Sequence, residues 1–388
     1  MNDCLISLSL FQQKLLGLIQ AEQDRLGKIS DEHVLLKDDV FNELAIELAI
    51  LQRAANPLFD HWLQRSSINL APDSHWKMIP SVPTEVFKIF DWSCIPEEQR
   101  TRVFYSSGTT GKDSSRHWHH EKSLELYEKL LLAWHREHPP WDQGKCRVAE
   151  CLFLTPSGQE AENSSLVHMF STIASSMPDG VKTKFLGTTN GDQDWVLPFD
   201  EAVEHLSKLD HPVCLFGTAF LFVHLLDFLE ETGMQLSLPK GSIVFETGGY
   251  KGKSRTLTKQ QLYQEIESKI GVSKCDILCE YGMSELSSQA YDLAPDTDSY
   301  LERNPASRRF KFPPWARCCV ISPETKLEVA YGETGMVQVT DLANVWSSVS
   351  VITEDIAIRH PEGFELLGRS NLSEPRGCSL MSDDFDQK

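Results

Sequence analysis

The chain has 388 residues, 41% hydrophobic and 24% charged, with 37 Lys and Arg against 56 Asp and Glu for a formal charge of −19. These values exclude a disordered chain and argue against a nucleic-acid surface, which needs clustered positive charge. A single core stops growing near roughly 250–300 residues, so two or more subdomains are expected.

The acidic start Met1-Asn2-Asp3 lacks the basic region of a signal peptide, and no apolar run approaches a membrane span, so a cytoplasmic protein is expected. Ten cysteines are scattered without CxxC pairs, which fits reduced thiols. Residues 1–100 read as a helical region packing on the core as scaffold or lid, with apolar periodicity over 5–19 and a longer one over 41–62. Pro80, Pro83 and Pro96 then punctuate an extended segment.

That segment leads into Tyr105-Ser106-Ser107-Gly108-Thr109-Thr110-Gly111-Lys112. Glycines let successive N–H groups turn inward and the hydroxyls add neutral donors, as a phosphate cradle requires. Taken alone, the run reads equally as a Ser/Gly-rich surface loop. A Walker-type loop is disfavoured, because Ser106 stands where that motif needs glycine. Ser123 is expected to cap a helix over 124–135 whose Leu126, Leu130 and Trp134 share one face.

From Val148 the pattern alternates. Strands are predicted at 212–216, 242–246 and 276–279, and helices at 219–232 and 259–270, the latter opened by Thr258 with Gln261 as a capping box. This is a parallel βαβαβ unit, and ligands bind such sheets beyond the carboxyl ends of the strands. Gly217-Thr218, Thr247-Gly248-Gly249 and Glu280-Tyr281-Gly282-Met283-Ser284-Glu285 stand there. Even spacing puts Cys275 and Cys279 on one strand face, in the core rather than on a metal. Short β-rich runs follow at 316–321, 327–330, 336–340, 350–352, 356–359 and 364–367, which read as a small barrel or distorted sheet. The expected organisation is a helical region (1–100), an α/β core (101–295), a β-rich subdomain (296–367) and a polar tail (368–388).

In this order the motifs resemble the adenylate-forming superfamily of acyl-CoA ligases, peptide-synthetase adenylation domains and luciferases. Ser106-Ser107-Gly108-Thr109-Thr110-Gly111 resembles its phosphate loop, and Tyr281-Gly282-Met283-Ser284-Glu285 its Tyr-Gly-x-Thr-Glu signature. Thr353-Glu354-Asp355 stands for its Thr-Gly-Asp, and Gly368-Arg369-Ser370-Asn371 for its Gly-Arg-x-Asp. Within it the chain resembles LuxE-type acyl-protein synthetases, on Val82-Pro83 with Phe87-Lys88, Asn163-Ser164-Ser165, Thr247-Gly248-Gly249 with Lys251-Gly252, and Arg376-Gly377-Cys378.

The resemblance implies an adenylate-forming α/β fold and ATP-dependent activation of a carboxylic acid, of the fatty class, as acyl-AMP. Ser106, Ser107, Gly108, Thr109, Thr110 and Gly111 would hold the phosphates, Ser284 would contact the α-phosphate, and Glu285 would bind Mg²⁺. Gly248, Gly249, Tyr281 and Gly282 would surround the adenine, and Asp355 would take the ribose hydroxyls with Arg369 nearby. Cys378 would accept the acyl group as a thioester for a partner acyl reductase or acceptor protein, with no nucleic acid and no membrane span involved. Two other readings stay open: an acyl- or aryl-CoA or carrier-protein ligase of the phenylacetate-CoA ligase type, and a non-catalytic nucleotide-binding subunit.

The chain departs from the pattern in three places. Ser114 stands where the loop's Lys is usual, with Lys112 or Arg116 as substitutes; Glu354 replaces a Gly and Asn371 an Asp. The family's C-terminal domain of about a hundred residues, with a catalytic Lys, is not expected here. His168 reads as a core histidine or as lining for the acid, and His117, His119 and His120 do not make a convincing zinc site.

Overall fold

The computed structural model describes residues 2–26, 33–66, 68–106, 114–137, 148–190, 194–249, 255, 257–293 and 308–369. Helices α1 (Asn2–Leu26), α2 (Asp38–Ala55) and α3 (Pro57–Arg65) come first, then β1 (Val82–Pro83), the one-turn helix α4 (Val86–Ile89) and the hairpin of β2 (Arg102–Tyr105) and β3 (Arg116–His119). The α/β part runs α5 (Glu121–Arg136), β4 (Glu150–Phe153), α6 (Ser165–Ser175), β5 (Lys182–Phe185), β6 (Thr188–Thr189), β7 (Trp195–Val196), α7 (Phe199–Ser207), β8 (Val213–Thr218), α8 (Ala219–Thr232), β9 (Ile243–Thr247), α9 (Lys259–Ile270) and β10 (Ile277–Tyr281). Strands β11 (Ala290–Leu293), β12 (Arg309–Lys311), β13 (Ala316–Ile321), β14 (Thr334–Asp341), β15 (Ser350–Arg359) and β16 (Phe364–Arg369) follow.

One mixed sheet carries the site, in the order β13-β14-β15-β16-β12-β11-β10-β9-β8-β4-β5, with β1 parallel to β15. Neighbours from β5 to β10 are parallel, and β10 to β13 are joined by antiparallel pairs. The β-rich runs therefore continue the α/β sheet through β11 and β12. Alternation along the parallel strands splits the core. Cys151, Phe153, Cys214, Phe216 and Phe245 pack with α5 and α6, whereas Leu152, Leu154, Val213, Leu215 and Val244 pack with α7, α8 and α9. Phe185, Phe153, Phe216 and Phe245 stand in register on four adjacent strands, their ring centroids 4.6–4.9 Å apart. Phe153, Phe216 and Phe245 are fully buried, each stabilising the sheet by roughly 1.5–3 kcal/mol, while Phe185 on the edge strand is half-buried.

Helices α8 and α9 have the predicted bounds, and the Thr258–Gln261 capping box forms. Both end on a left-handed glycine, Gly233 at φ 66° and Gly271 at φ 80°. Elsewhere local chemistry moved the boundaries. The periodicity over 41–62 is broken at Asn56, whose side chain accepts from Leu58 N at 3.0 Å and starts α3 with Pro57 as its first residue. His120, not Ser123, caps α5; Ser123 is the third helical residue and closes a reciprocal box with it. Residues 327–330 form only an isolated bridge, Ile321 to Glu328, and 350–359 is one continuous strand. Cys275 lies in a 3-10 turn, so only Cys279 is on the strand.

Helix α1 also corrects the reading of apolar runs: Asp3–Leu26 is long and apolar enough to cross a membrane by length and composition. Its Leu8, Phe11, Leu15 and Ile19 are buried against the protein. Gln12, near its middle, donates to Lys122 O at 2.9 Å and accepts from Trp346 Nε1 at 2.7 Å, which fixes the helix on the core.

Candidate active site

The three glycine-bearing segments lie at the carboxyl ends of β8, β9 and β10: Gly217-Thr218 are the last two residues of β8, which passes directly into α8, and the other two run on into turns after β9 and β10. The phosphate-loop motif is the turn of the β2–β3 hairpin. Its base is closed by Ser106 N donating to Ser115 O at 3.1 Å and Ser115 N donating to Ser106 Oγ at 2.9 Å. Ser107, Gly108, Thr109, Thr110, Gly111 and Lys112 lie outside the described residues, as does Cys378.

The hairpin is bonded to the turn after β10. Ser115 Oγ donates to Glu285 Oε1, and Ser284 Oγ donates to Tyr105 O at 3.2 Å. Ser284 Oγ also lies 3.2 Å from Ser165 Oγ at the start of α6, and Tyr105 N donates to Asn163 O at 2.9 Å. His117 Nδ1 donates to Ser284 O at 2.5 Å; burial pushes its pKa down to about 4, so the ring is neutral and this hydrogen bond selects the tautomer. Ser284 and Glu285 are therefore held from three sides, by β2–β3, by α6 and from below.

Below them lies a polar network that the sequence did not announce. Asn344 Nδ2 donates to Glu285 O at 3.0 Å and to Ser348 O at 2.7 Å, while Ser287 Oγ donates to Asn344 Oδ1 at 2.9 Å. The buried Asp341 accepts from Ser287 N and Ser288 Oγ. Gln52 of α2 donates to Asn344 O and Val345 O and accepts from Val349 N, which ties the N-terminal helices to the floor of the site. Apolar periodicity cannot reveal these contacts, because their partners are about 290 positions apart.

Burial pushes the Glu285 carboxyl above its ordinary pKa, opposed by the Ser115 hydrogen bond and by the charges of Arg369 and Lys88. A buried carboxylate among hydroxyls is an oxygen donor set suited to a hard divalent cation that keeps waters and phosphate oxygens as its other ligands. Among the described residues there is no group of three His, Cys, Asp or Glu side chains able to hold a metal alone.

A second chain of contacts leads away from the same turn. Tyr281 OH donates to Asp355 Oδ2 at 2.9 Å, and Arg369 Nε lies 3.4 Å from Asp355 Oδ1. The register explains the pairing, since Asp355 on β15 stands opposite Arg369 on β16. Burial pushes the Asp355 carboxyl up, and Arg369 and Tyr281 oppose it. The Tyr281 ring is held by Phe364, Phe310 and Phe312, with centroids 5.4, 6.0 and 6.2 Å away.

Gly248, at φ 71°, and Gly249 follow β9, and among the described residues nothing lies within 4 Å of where a Cβ on either would be. Gly282 is the opposite case: a Cβ there would strike Glu280 Oε1. Glu280 in turn accepts from Thr247 Oγ1, joining the ends of β9 and β10.

Two residues left open by sequence have definite places. Arg116, one of the two substitutes for the loop lysine, pairs with Asp91 at 2.6 Å; the other, Lys112, lies outside the described residues. His168 packs its ring 5.2 Å from Phe104 and 5.7 Å from Tyr127 and lies 3.0 Å from Glu128, as a partnered histidine at the edge of the core.

Over 327 residues, 80% of this chain and 79% of the relative, the chain is 23% identical to the long-chain-fatty-acid–luciferin-component ligase of Aliivibrio fischeri. It is 22% identical over 330 residues to the Vibrio harveyi protein of the same description, covering 80% of this chain and 79% of that one. Among solved structures, 2-hydroxyisobutyryl-CoA ligase in an open conformation with 2-HIB-AMP and CoA superposes with a TM-score of 0.60 at 11% identity, covering 86% of this chain and 69% of that one. Its postadenylation state gives 0.59 at 12% identity over 86% and 67%. At such identities the likeness shows a shared adenylate-forming ligase fold. The family described as "Acyl-protein synthetase, LuxE" matches residues 36–386, and the chain belongs to that family.

Proposed function

We propose that this protein activates a long-chain fatty acid with ATP and passes the acyl group to a thiol, its own Cys378, for delivery to a partner reductase. The observation that carries this reading is the convergence of a hydroxyl-rich hairpin, the buried Glu285 and the Tyr281–Asp355–Arg369 chain on one edge of one sheet. Family membership and the names of the two relatives support the substrate class and the partner.

In the first step a carboxylate oxygen bonds to the α-phosphorus of ATP as the bond to the bridging oxygen breaks. Pyrophosphate leaves with that electron pair. Positioned donors matter more here than a covalent nucleophile, because charge builds on phosphate oxygens. Ser106 and the loop hydroxyls would hold the phosphates, Ser284 would face the α-phosphate, and Gly248 and Gly249 leave room for a planar base. Asp355 would take the ribose hydroxyls. Glu285 would hold Mg²⁺, which when bound supplies positive charge to the phosphate oxygens. In the second step the Cys378 thiolate attacks the acyl carbonyl, and AMP leaves as the carbonyl–oxygen bond breaks. A cytoplasmic location accompanies this reading, in keeping with the eight free cysteines among the described residues.

The test is intact mass after incubation with Mg²⁺, ATP and a chain-length series of acids, for wild type and Cys378→Ser. An acyl adduct cleaved by hydroxylamine in wild type and missing from the variant is the expected result. The same adduct on Cys378→Ser would move the acceptor elsewhere. CoA-dependent thioester release that survives the substitution would favour a CoA ligase.

A further inference from the structure

The site must bring two anions together, a carboxylate and a triphosphate, inside a chain of net charge −19. It is also lined by carboxylates of its own: Glu285, Asp355, and the adjacent Glu85 and Glu354, which share a hydrogen bond. Uncompensated, that field opposes both substrates. The described cations around it are mostly committed. Arg369 pairs with Asp355, Arg116 with Asp91, Lys259 with Glu246 and Arg308 with Asp292. Lys88 has no ion-pair or hydrogen-bond partner for its ammonium among the described residues, and it is half-buried.

The backbone explains why Lys88 faces this field. Strand β1 runs parallel to β15 with Val82 opposite Val351 and Pro83 opposite Ile352, and Thr84 N donates to Ile352 O at 3.2 Å. The chain then turns directly into α4, and Glu85 at its start shares a hydrogen bond with Glu354, the neighbour of Asp355. On its other side α4 meets β3: the Phe87 ring lies 6.5 Å from His117, the ring bonded to Ser284 O, and Arg116 Nη2 donates to Ile89 O at 3.4 Å. Lys88 is thus carried between β15, which bears Asp355, and β3, which directly follows the Ser115 that binds Glu285. Its charge acts on both Glu85 and Glu285.

Resting on the adenylation reading above, we infer that Lys88 is a further catalytic residue of that reaction: its ammonium pairs with the α-phosphate and the incoming carboxylate as the two anions meet. It neither gains nor loses a proton in the step. Its charge offsets what accumulates on the phosphate oxygens as pyrophosphate departs.

The experiment compares the full chain with Lys88→Met, which keeps the aliphatic stem, and Lys88→Arg, which keeps the charge. In K88M, kcat/KM for acid-dependent exchange of pyrophosphate into ATP is expected to fall about 100-fold. Apart from turnover, calorimetry should show AMP bound about tenfold more weakly while adenosine, which lacks the phosphate, stays within about twofold. K88R should keep the preference for AMP. Exchange in K88M within about threefold of wild type, or equal losses for AMP and adenosine, would remove Lys88 from the chemistry. A wild-type chain that exchanges with no acid in the series, yet loses its AMP preference in K88M, would overturn the adenylation reading and the catalytic role while leaving the phosphate contact standing.

Discussion

The Ser115 hydroxyl donates to the buried Glu285 carboxylate, so the strand leaving the phosphate loop and the turn that would hold the metal are one bonded unit. A group that orients a metal-binding carboxylate typically changes metal affinity 10–100-fold when it is removed. Ser115→Ala should therefore raise the Mg²⁺ concentration for half-maximal pyrophosphate exchange by about tenfold or more, with the thermal midpoint little changed. A Mg²⁺ titration checks this; an unchanged midpoint of that titration would separate Ser115 from the role of Glu285.

Glu280 gives a pH prediction. Burial raises its pKa from an ordinary 4.5 to about 7, against the hydrogen bond from Thr247. A carboxyl whose folded-state pKa is raised keeps a proton that the unfolded chain has already released, so stability falls as pH rises between about 4.5 and 7. Glu280→Gln keeps the shape and an acceptor for Thr247 without the charge. Chemical denaturation of the variant should be flatter across that window and show a gain on the order of 1–3 kcal/mol over wild type at pH 8. Asp341, pushed up to about 6 by burial, leaves a residual slope of the same sign.

Glu246 is a buried carboxylate with a cationic partner. It is fully buried on β9 and accepts from Lys259 Nζ at 2.5 and 2.6 Å and from Tyr263 OH at 3.1 Å. Lys259→Met would strand that charge, at a cost of roughly 3 kcal/mol. Urea unfolding should show a lower midpoint with an unchanged slope, and adding Glu246→Gln should recover much of the loss. A midpoint near that of wild type in the single variant would mean that Tyr263 and Cys279 suffice to hold the carboxylate.

The parts of this molecule that were legible in the sequence are those written in local patterns. Helix α9 was opened at the right residue by Thr258 and Gln261, and the strand ends were marked by Gly217, Gly248 and Gly282. What was not legible depends on pairing between distant segments. Nothing local tells that β1 lies on β15, that His117 binds the carbonyl of Ser284, or that Gln52 closes the floor of the site through Asn344. The pairing of Arg116 with Asp91 across 25 positions is equally silent in the local sequence. The break at Asn56 was visible as an Asn-Pro pair, but the apolar period ran through it and concealed the cap.

The Tyr281–Asp355 hydrogen bond, 2.9 Å long and buried, separates a structural tyrosine from one that serves the nucleotide. If Asp355 takes the ribose hydroxyls, its orientation matters more than its charge alone. Two groups set that orientation, the Tyr281 hydroxyl on one oxygen and Arg369 on the other. Removing one hydrogen bond of about 1 kcal/mol in Tyr281→Phe should raise KM for ATP about fivefold, with kcat little affected. The more telling comparison uses 3′-deoxy-ATP. Wild type should prefer ATP, Tyr281→Phe should show a smaller preference, and Asp355→Asn should show almost none. Equal preference in all three proteins would mean that the Tyr281–Asp355 pair only braces β10 against β15 and that the ribose is bound elsewhere.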